Sequence, residues 1–382
     1  MKKYLIELHQ SIFSESAQYF YFSPGRVNLI GEHTDYSGGY VLPISIDLGI
    51  YAAISTRDDA SIYVYSHDFK DLGILNIQKP FFYQKNRSYV NYIEGVLWVL
   101  EKENMQIRQG FNITLFSTLP KSAGLSSSAS LEVLILTLLN ERCELNLSKL
   151  DIVRLAKRVE NDYIGVSSGI MDQFIIAFGK KNHAILLDTE SLDFDYIPID
   201  LDTYALVLMN TNKARDLVDS AYNTRFKSIE EAKKIFDQPL GKINYSMLES
   251  KKNLINDEVW KRFKHVVTEN KRTLDAKEAL KEHDYESLGF LMRASHKSLK
   301  NDFEVSCYEL DYLVTENMKL GALGARMTGA GFGGTMLALY EKKKIPTSFD
   351  ILKERYFKRF NLNLELYIAV SEDGTKSLGG EF

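Results

Sequence analysis

The chain has only two cysteines in 382 residues, Cys143 and Cys307, far apart and in no CxxC pair. That excludes a disulfide framework and a zinc ribbon, implies a reducing compartment, and makes a cytoplasmic location the expectation. An excess of one charge is also missing: 47 Lys and Arg face 51 Asp and Glu, for a net charge of −4. A nucleic-acid partner would demand a basic surface, so none is expected. Long apolar runs are absent too. The nearest, Leu131 to Leu139, holds Glu132 and Thr137 and is about half of what a bilayer requires, so no membrane partner is expected. The N-terminal MKKYLIELHQSIF begins basic, but Glu7 and His9 interrupt its apolar residues, and it reads as an amphipathic helix rather than a signal peptide. No internal period appears, nor a GxxxxGK[ST] loop, nor HRD and DFG elements.

What is present is ordinary globular composition, 45% hydrophobic and 26% charged, over a length that suits two domains. The expected division is 1–200 and 201–382. From Tyr19 to about Ile77 the chain is rich in β-branched and aromatic residues, and Ser61 to Ser66 alternates in the strand period. Helices are predicted over Tyr89 to Glu103 and Ser126 to Arg142, with a strand, Phe111 to Phe116, between them. Ser148 and Asp151 form a capping-box signature for a third helix running to about Tyr163. Ala184 to Leu187 and Tyr204 to Met209 read as buried strands. Ala214 to Phe236 and most of Met247 to Leu320 are charged helical sequence, followed by a glycine-rich turn and the strand Thr335 to Tyr340. Strands then helices, twice, predicts an α+β fold rather than a doubly wound sheet.

Four stretches carry chemistry. Gly25 to Gly39, GRVNLIGEHTDYSGG, puts Arg26, Glu32, His33 and Asp35 within ten positions beside an apolar patch. Buried, such a set is costly unless its members pair with each other or with a polar ligand. A solvated turn and an internal salt-bridge cluster compete with that reading. A metal site is weaker, since one His and no Cys make a poor zinc set. Leu119 to Ser130, LPKSAGLSSSAS, enters a helix so apolar that it must be buried. The first-turn N–H groups and macrodipole suit anions, and Ser126, Ser127 and Ser128 add hydroxyls suited to phosphate and Mg²⁺; a plain serine cap is the alternative.

The third stretch, GARMTGAGFGGT from Gly324 to Thr335, contains a formal GxGxxG. Helix-like sequence precedes the loop and a strand follows it, the reverse of a dinucleotide fingerprint. The fourth, Gly165 to Gln173, reads GVSSGIMDQ. There Asp172 is either a general base or a helix cap, and on the preceding helix Glu160 is either a buried ion-pair partner or a metal ligand. Taken together, these supply an anion-binding helix end, two Mg²⁺ ligand candidates, an acid suited to deprotonating a hydroxyl, and a polar cluster suited to a polyol.

In these stretches the chain resembles the GHMP small-molecule kinases, whose N-terminal segment, PxxxGLSSSAS phosphate loop and C-terminal glycine-rich loop occur here in order between Pro24 and Gly334. GRVNLIGEHTDYSGG and GIMDQ are similar to the branch that phosphorylates galactose. The resemblance implies an N-terminal domain of the ribosomal protein S5 domain 2 type, a C-terminal ferredoxin-like domain, and an active site in the cleft between them. It also implies ATP, Mg²⁺ and galactose, with phosphorylation at the anomeric 1-hydroxyl. Glu32, His33, Asp35, Gly169 and Tyr222 would hold the sugar. Arg26 and Asp172 would flank the reacting hydroxyl, and Ser128, or Ser127, and Glu160 would hold Mg²⁺. Gly124, Leu125, Ser126, Ser127, Ser128, Ala129 and Ser130 would wrap the phosphates, and Tyr89 would lie near the adenine or in the core. A monomer is the expectation.

Ser37 stands where the signature usually has Asn, and Thr335 where Cys is frequent. Kinases for N-acetylgalactosamine, galacturonate or L-arabinose share much of this framework. A carboxylate sugar would want an extra cation, for which Arg215 and Arg225 are candidates. A sensor that binds sugar and ATP without transfer is the remaining alternative, disfavoured by the uninterrupted GLSSSAS.

Overall fold

A computed structural model describes residues 1–121, 123–214, 218–236 and 238–380. Its largest sheet has six strands in the order Lys376–Gly380, Tyr19–Asn28, Pro43–Arg57, Gly110–Ser117, Ser61–Ser66, Asp71–Asn76. All neighbours are antiparallel except Ser61–Ser66 and Gly110–Ser117, which run parallel. The helices Val90–Lys102, Ser127–Arg142, Lys149–Arg158 and Met171–Phe178 share this sheet's apolar core. A second sheet, Gly324–Thr328, Thr335–Glu341, Tyr204–Asn210, Glu365–Ala369, is wholly antiparallel. Its Met209, Ala325 and Met336 share a second apolar cluster with residues of the helices Asp257–Lys281, Tyr308–Lys319 and Asp350–Phe360. A three-stranded sheet, Tyr40–Val41, His183–Asp188, Phe194–Pro198, completes the set. The architecture is α+β, as the pattern of elements predicts. The last strand, Lys376–Gly380, returns to pair with the first.

Ser127–Arg142 is the helix on which the site depends. Leu131, Val133, Leu134, Ile135, Leu136, Leu138 and Leu139 are all buried, so it has no solvent face to rotate into, and the direction of its N-terminus is set by the core. Ser126 enters it with φ 64 and makes no side-chain cap, which removes the plain-cap alternative for that serine. The next helix does open with the capping box: the Ser148 hydroxyl accepts from Asp151 N, and the Asp151 carboxylate accepts from Ser148 N. It then widens into a π-helical turn, Val159–Ile164, which carries Glu160. Such turns recur at functional sites because they re-aim a side chain within a continuous helix.

The glycine-rich third stretch differs from its expected setting. The preceding helix ends at Lys319, and Gly324–Thr328 is a fully buried strand that pairs with Thr335–Glu341 to make a hairpin. Ala325, Arg326 and Met327 favour helix by propensity, but tertiary packing overrides it. A Cβ at Gly324 would lie 2.4 Å from the Gly289 carbonyl oxygen, so only a bare backbone fits against the helix Tyr285–Ser298. The predicted helical region Met247 to Leu320 is several helices, among them Asp257–Lys281, Tyr285–Ser298 and Tyr308–Lys319. Within Ala214 to Phe236 the helix is Val218–Lys233, and residues 215–217 lie outside the described residues. Phe194–Pro198, Glu365–Ala369 and Lys376–Gly380 are strands that the sequence pattern did not announce.

Truncating the central helix should cost far more than truncating the edge strand. Leu134→Ala, at a fully buried position, is expected to lose about 2–5 kcal/mol of stability. Leu72→Ala, 41% exposed, should stay within about 0.5 kcal/mol. Denaturant melts of the two variants provide the check.

Candidate active site

Arg26 lies on the strand Tyr19–Asn28 opposite Ser45, and Asp172 lies in the first turn of Met171–Phe178. The guanidinium grips the carboxylate as a fork, Nε to Oδ1 at 2.7 Å and Nη2 to Oδ2 at 2.8 Å. Its Nη1 donates to the Gly124 carbonyl at 2.8 Å, its backbone N–H to Leu125 O at 3.2 Å, and the Ser126 hydroxyl donates to Asp172 Oδ2. One arginine therefore joins the first signature, the serine loop and the GIMDQ turn. Its side chain is 6% exposed against 28% for Asp172, so the pair presents its carboxylate side to open space.

That space is a cavity of about 180 Å³, with Glu32, His33, Asp35, Gly169 and Tyr222 in its wall beside Arg26 and Asp172. Every position predicted to hold a sugar thus borders one small polar chamber. Burial and then the negative charge of Asp172 push the Asp35 carboxyl up to about 7. A Cβ at Gly169 would fall 1.8 Å from Asp35 Oδ2, so the missing side chain is what admits that carboxylate. His33 has φ 63, and burial followed by nearby His265 lowers its imidazole to about 3. Its Nδ1 meets the Tyr36 hydroxyl at 3.1 Å, while Nε2 is buried with no hydrogen-bond partner among the described residues. The Tyr222 ring packs beside it, centroids 5.7 Å apart.

A larger cavity, about 570 Å³, opens on the other side of the serine loop, bordered by Ser127, Ser128, Lys121, Phe69 and Tyr89. The Tyr89 ring stacks on Phe69 at 5.2 Å, and its hydroxyl donates to the Val64 and Asp71 carbonyls. Its hydroxyl is thus held by the fold while the residue borders the cavity. Ser128 borders the large cavity, Glu160 borders the small one, and the Ser128 hydroxyl donates to Glu160 Oε1 at 2.8 Å. Gln173 Nε2 donates to Glu160 Oε2 at 3.1 Å. Burial raises the Glu160 carboxyl, and burial with the charge of Glu160 raises Glu132. Deeper in the loop, Ala129 is fully buried and the Ser130 hydroxyl donates to the Ser23 carbonyl at 3.0 Å.

Several participants were not singled out in the sequence. Gln173 sits inside GIMDQ, but an amide gives no signal of its own. Phe69 stands alone in unremarkable sequence, and Lys121 lies within LPKSAGLSSSAS without having been assigned a role there. Arg326 is the one with a readable signal: a charged residue amid GA and MTGAG, in a segment too short of polar neighbours to be a surface. It is fully buried, and its Nη2 lies 2.7 Å from Glu32 Oε2. The substitutions Ser37 and Thr335 are both accommodated, Ser37 Oγ donating to Thr34 O at 2.9 Å and Thr335 Oγ1 to Ala123 O at 2.7 Å. Arg225 donates to the carbonyls of Phe303 and Glu304, and Arg215 lies outside the described residues.

Three family models match the chain: "Galactokinase galactose-binding signature" over residues 7–56, "GHMP kinases N terminal domain" over 91–180, and "GHMP kinases C terminal" over 276–356. A galactokinase of Staphylococcus saprophyticus is 44% identical over 98% of this chain and 100% of its own length. One from Enterococcus faecalis is 42% identical over 99% and 100%. Among solved structures, Lactococcus lactis galactokinase complexed with galactose superposes with a TM-score of 0.93 at 37% identity, covering 99% of this chain and 100% of that one.

Asp35 makes a prediction about pH. Its ordinary value is 3.8 and its folded value about 7, so between these limits the folded chain holds a proton that the unfolded chain has released. The sign is a loss of stability as pH rises, complete above about pH 7. Asp35→Asn lacks that loss, so its melting temperature should gain on the unsubstituted chain between pH 5 and pH 8.5. Parallel melting profiles for the two proteins across that range would contradict this.

Proposed function

Because this chain belongs to the galactokinase family of GHMP kinases, we propose that it transfers the terminal phosphoryl group of ATP to the anomeric 1-hydroxyl of galactose, giving galactose 1-phosphate and ADP. The observation that carries this reading is the Ser128–Glu160 hydrogen bond, which joins the cavity on the serine-loop side to the polar chamber. A nucleotide in the larger space and a sugar in the smaller would meet at that wall, where Asp172 also stands.

In this reading Asp172 accepts the proton of the sugar hydroxyl. The Arg26 fork keeps its carboxylate aimed, since two parallel hydrogen bonds from one planar guanidinium fix its orientation. Arg26 also offsets charge that develops on the transferring group, and most of phosphoryl-transfer catalysis is such positioning and electrostatic stabilisation. The first-turn N–H groups of the helix Ser127–Arg142, with Gly124 and Leu125 before them, serve the phosphates. Glu32, His33, Asp35, Gly169 and Tyr222 discriminate the sugar by hydroxyl geometry, because a missing hydroxyl would leave a buried polar group unpaired.

The Ser128 hydroxyl and Glu160 carboxylate are hard oxygen donors suited to Mg²⁺, and the half-buried Glu160 has no cation against it in the ion pairs of the described residues, so the donor set fits. Bound there with ATP, the ion would neutralise phosphate charge. A reducing, cytoplasmic setting and a monomer are part of the proposal, as is a division near residue 200. No helix among the described residues is long and apolar enough to cross a membrane. A carboxylate sugar as substrate is disfavoured because Arg225 is spent on backbone carbonyls.

The reading is tested by a panel of galactose, N-acetylgalactosamine, galacturonate and L-arabinose with ATP and Mg²⁺, scored for the 1-phosphate and for ADP. Galactose is expected to be the preferred acceptor; no ADP release at saturating galactose would refute transfer. Asp172→Asn should retain galactose binding by calorimetry while turnover falls roughly 10²–10⁴-fold, the range for loss of a general base. Unchanged turnover would remove Asp172 from the reaction.

A further inference from the structure

Arg326 has no part in the chemistry above, yet it is a fully buried guanidinium, a group that stays charged in proteins and must be held by acceptors. Its oxygen neighbours come from three places: Nη1 hydrogen-bonds to carbonyls, and Nη2 makes ion-pair contacts only. Nη1 donates to the Leu29 carbonyl at 2.9 Å and lies 3.3 Å from that of Asn28. Nη2 stands 2.7 Å from Glu32 Oε2 and 3.7 Å from Glu269 Oε1. Glu269, on the long helix Asp257–Lys281, is itself anchored by Gly31 N at 3.0 Å, Ser295 Oγ at 2.5 Å and Arg272 Nε at 2.7 Å.

Glu32 is fixed correspondingly. Its Oε1 accepts from Gly329 N at 2.8 Å and Thr328 Oγ1 at 3.0 Å, and its Oε2 from Asn28 Nδ2 at 2.6 Å. Three of these holds, from Arg326, Thr328 and Gly329, belong to the glycine-rich hairpin, whereas Glu32 belongs to the first signature and borders the small cavity. Burial raises the Glu32 carboxyl above its usual range, and the Arg326 charge is the largest influence opposing that rise.

We propose that Arg326 is a positioning residue for the acceptor sugar: braced against Glu269, it sets the orientation of Glu32 at the cavity wall, so a side chain that does not itself line the cavity governs sugar affinity. The inference rests on the reading that this cavity takes galactose. Arg326 acts before the chemical step, on the bound ground state and the transition state alike, so its loss appears in sugar KM and spares turnover.

The test is Arg326→Lys, which keeps the charge but replaces a planar fork by a single point that cannot span both carboxylates and the carbonyls. Galactose KM should rise about tenfold or more, with kcat and ATP KM within about threefold. Added to Glu32→Gln, the same substitution should change galactose KM by less than about twofold, because the two act through one contact. Thr328→Val removes another Glu32 donor with no change of charge and should give a smaller rise of the same selective kind, so the inference stays testable should the lysine variant not fold. Equal rises in both KM values, a fall in kcat at unchanged galactose KM, or multiplicative effects in the double variant would overturn it. Failure of the unsubstituted chain to phosphorylate galactose would instead overturn the functional reading, and this inference with it.

Discussion

The fork between Arg26 and Asp172 is the contact on which the rest of the site depends. Both of its donors to Asp172 come from one rigid, always-charged plane, and the third arm of that plane holds the Gly124 carbonyl. A strand of the large sheet, a loop entering a buried helix and the first turn of another helix are thereby fixed relative to one another through a single side chain. Each of these elements is itself set by the apolar core. The guanidinium thus passes the rigidity of the core to a carboxylate that borders a cavity.

The buried charges around that fork are arranged unequally. Glu32 and Glu269 are matched by Arg326 and Arg272, and their roles follow from being held still. Asp35, Glu132 and Glu160 lack such partners among the described ion pairs, and burial raises all three. Carboxylates drawn from water without a cationic partner are costly in a fold taken alone. Their concentration beside the serine loop and the small chamber is what a site built to receive a cation and a polyhydroxylated ligand would show.

Legibility from the sequence was uneven for physical reasons. The buried helix Ser127–Arg142 was readable because seven apolar residues in its span leave no alternative to burial, and the capping box at Ser148 because it is a local hydrogen-bond pattern. The strand Gly324–Thr328 was not, since Ala, Arg and Met carry helix propensity and only the close approach of Gly289 and pairing with Thr335–Glu341 make it extended. The terminal strand Lys376–Gly380 was hidden because its partner, Tyr19–Asn28, is the whole chain away. Glu160 could be placed on a helix, but the π turn that carries it is a departure from the 3.6 period that no periodicity reveals.

By itself, then, the sequence determined which chemistry the chain could contain: the reactive residue types, their motifs and the helix end that favours anions are local properties, written in a few consecutive residues each. Only the tertiary structure decided that Arg26 meets Asp172, that Ser128 meets Glu160, and that Arg326 reaches Glu32 from the other end of the chain. Those meetings depend on how sheets and helices pack, and packing is decided by non-local contacts whose partners lie many tens to hundreds of residues apart.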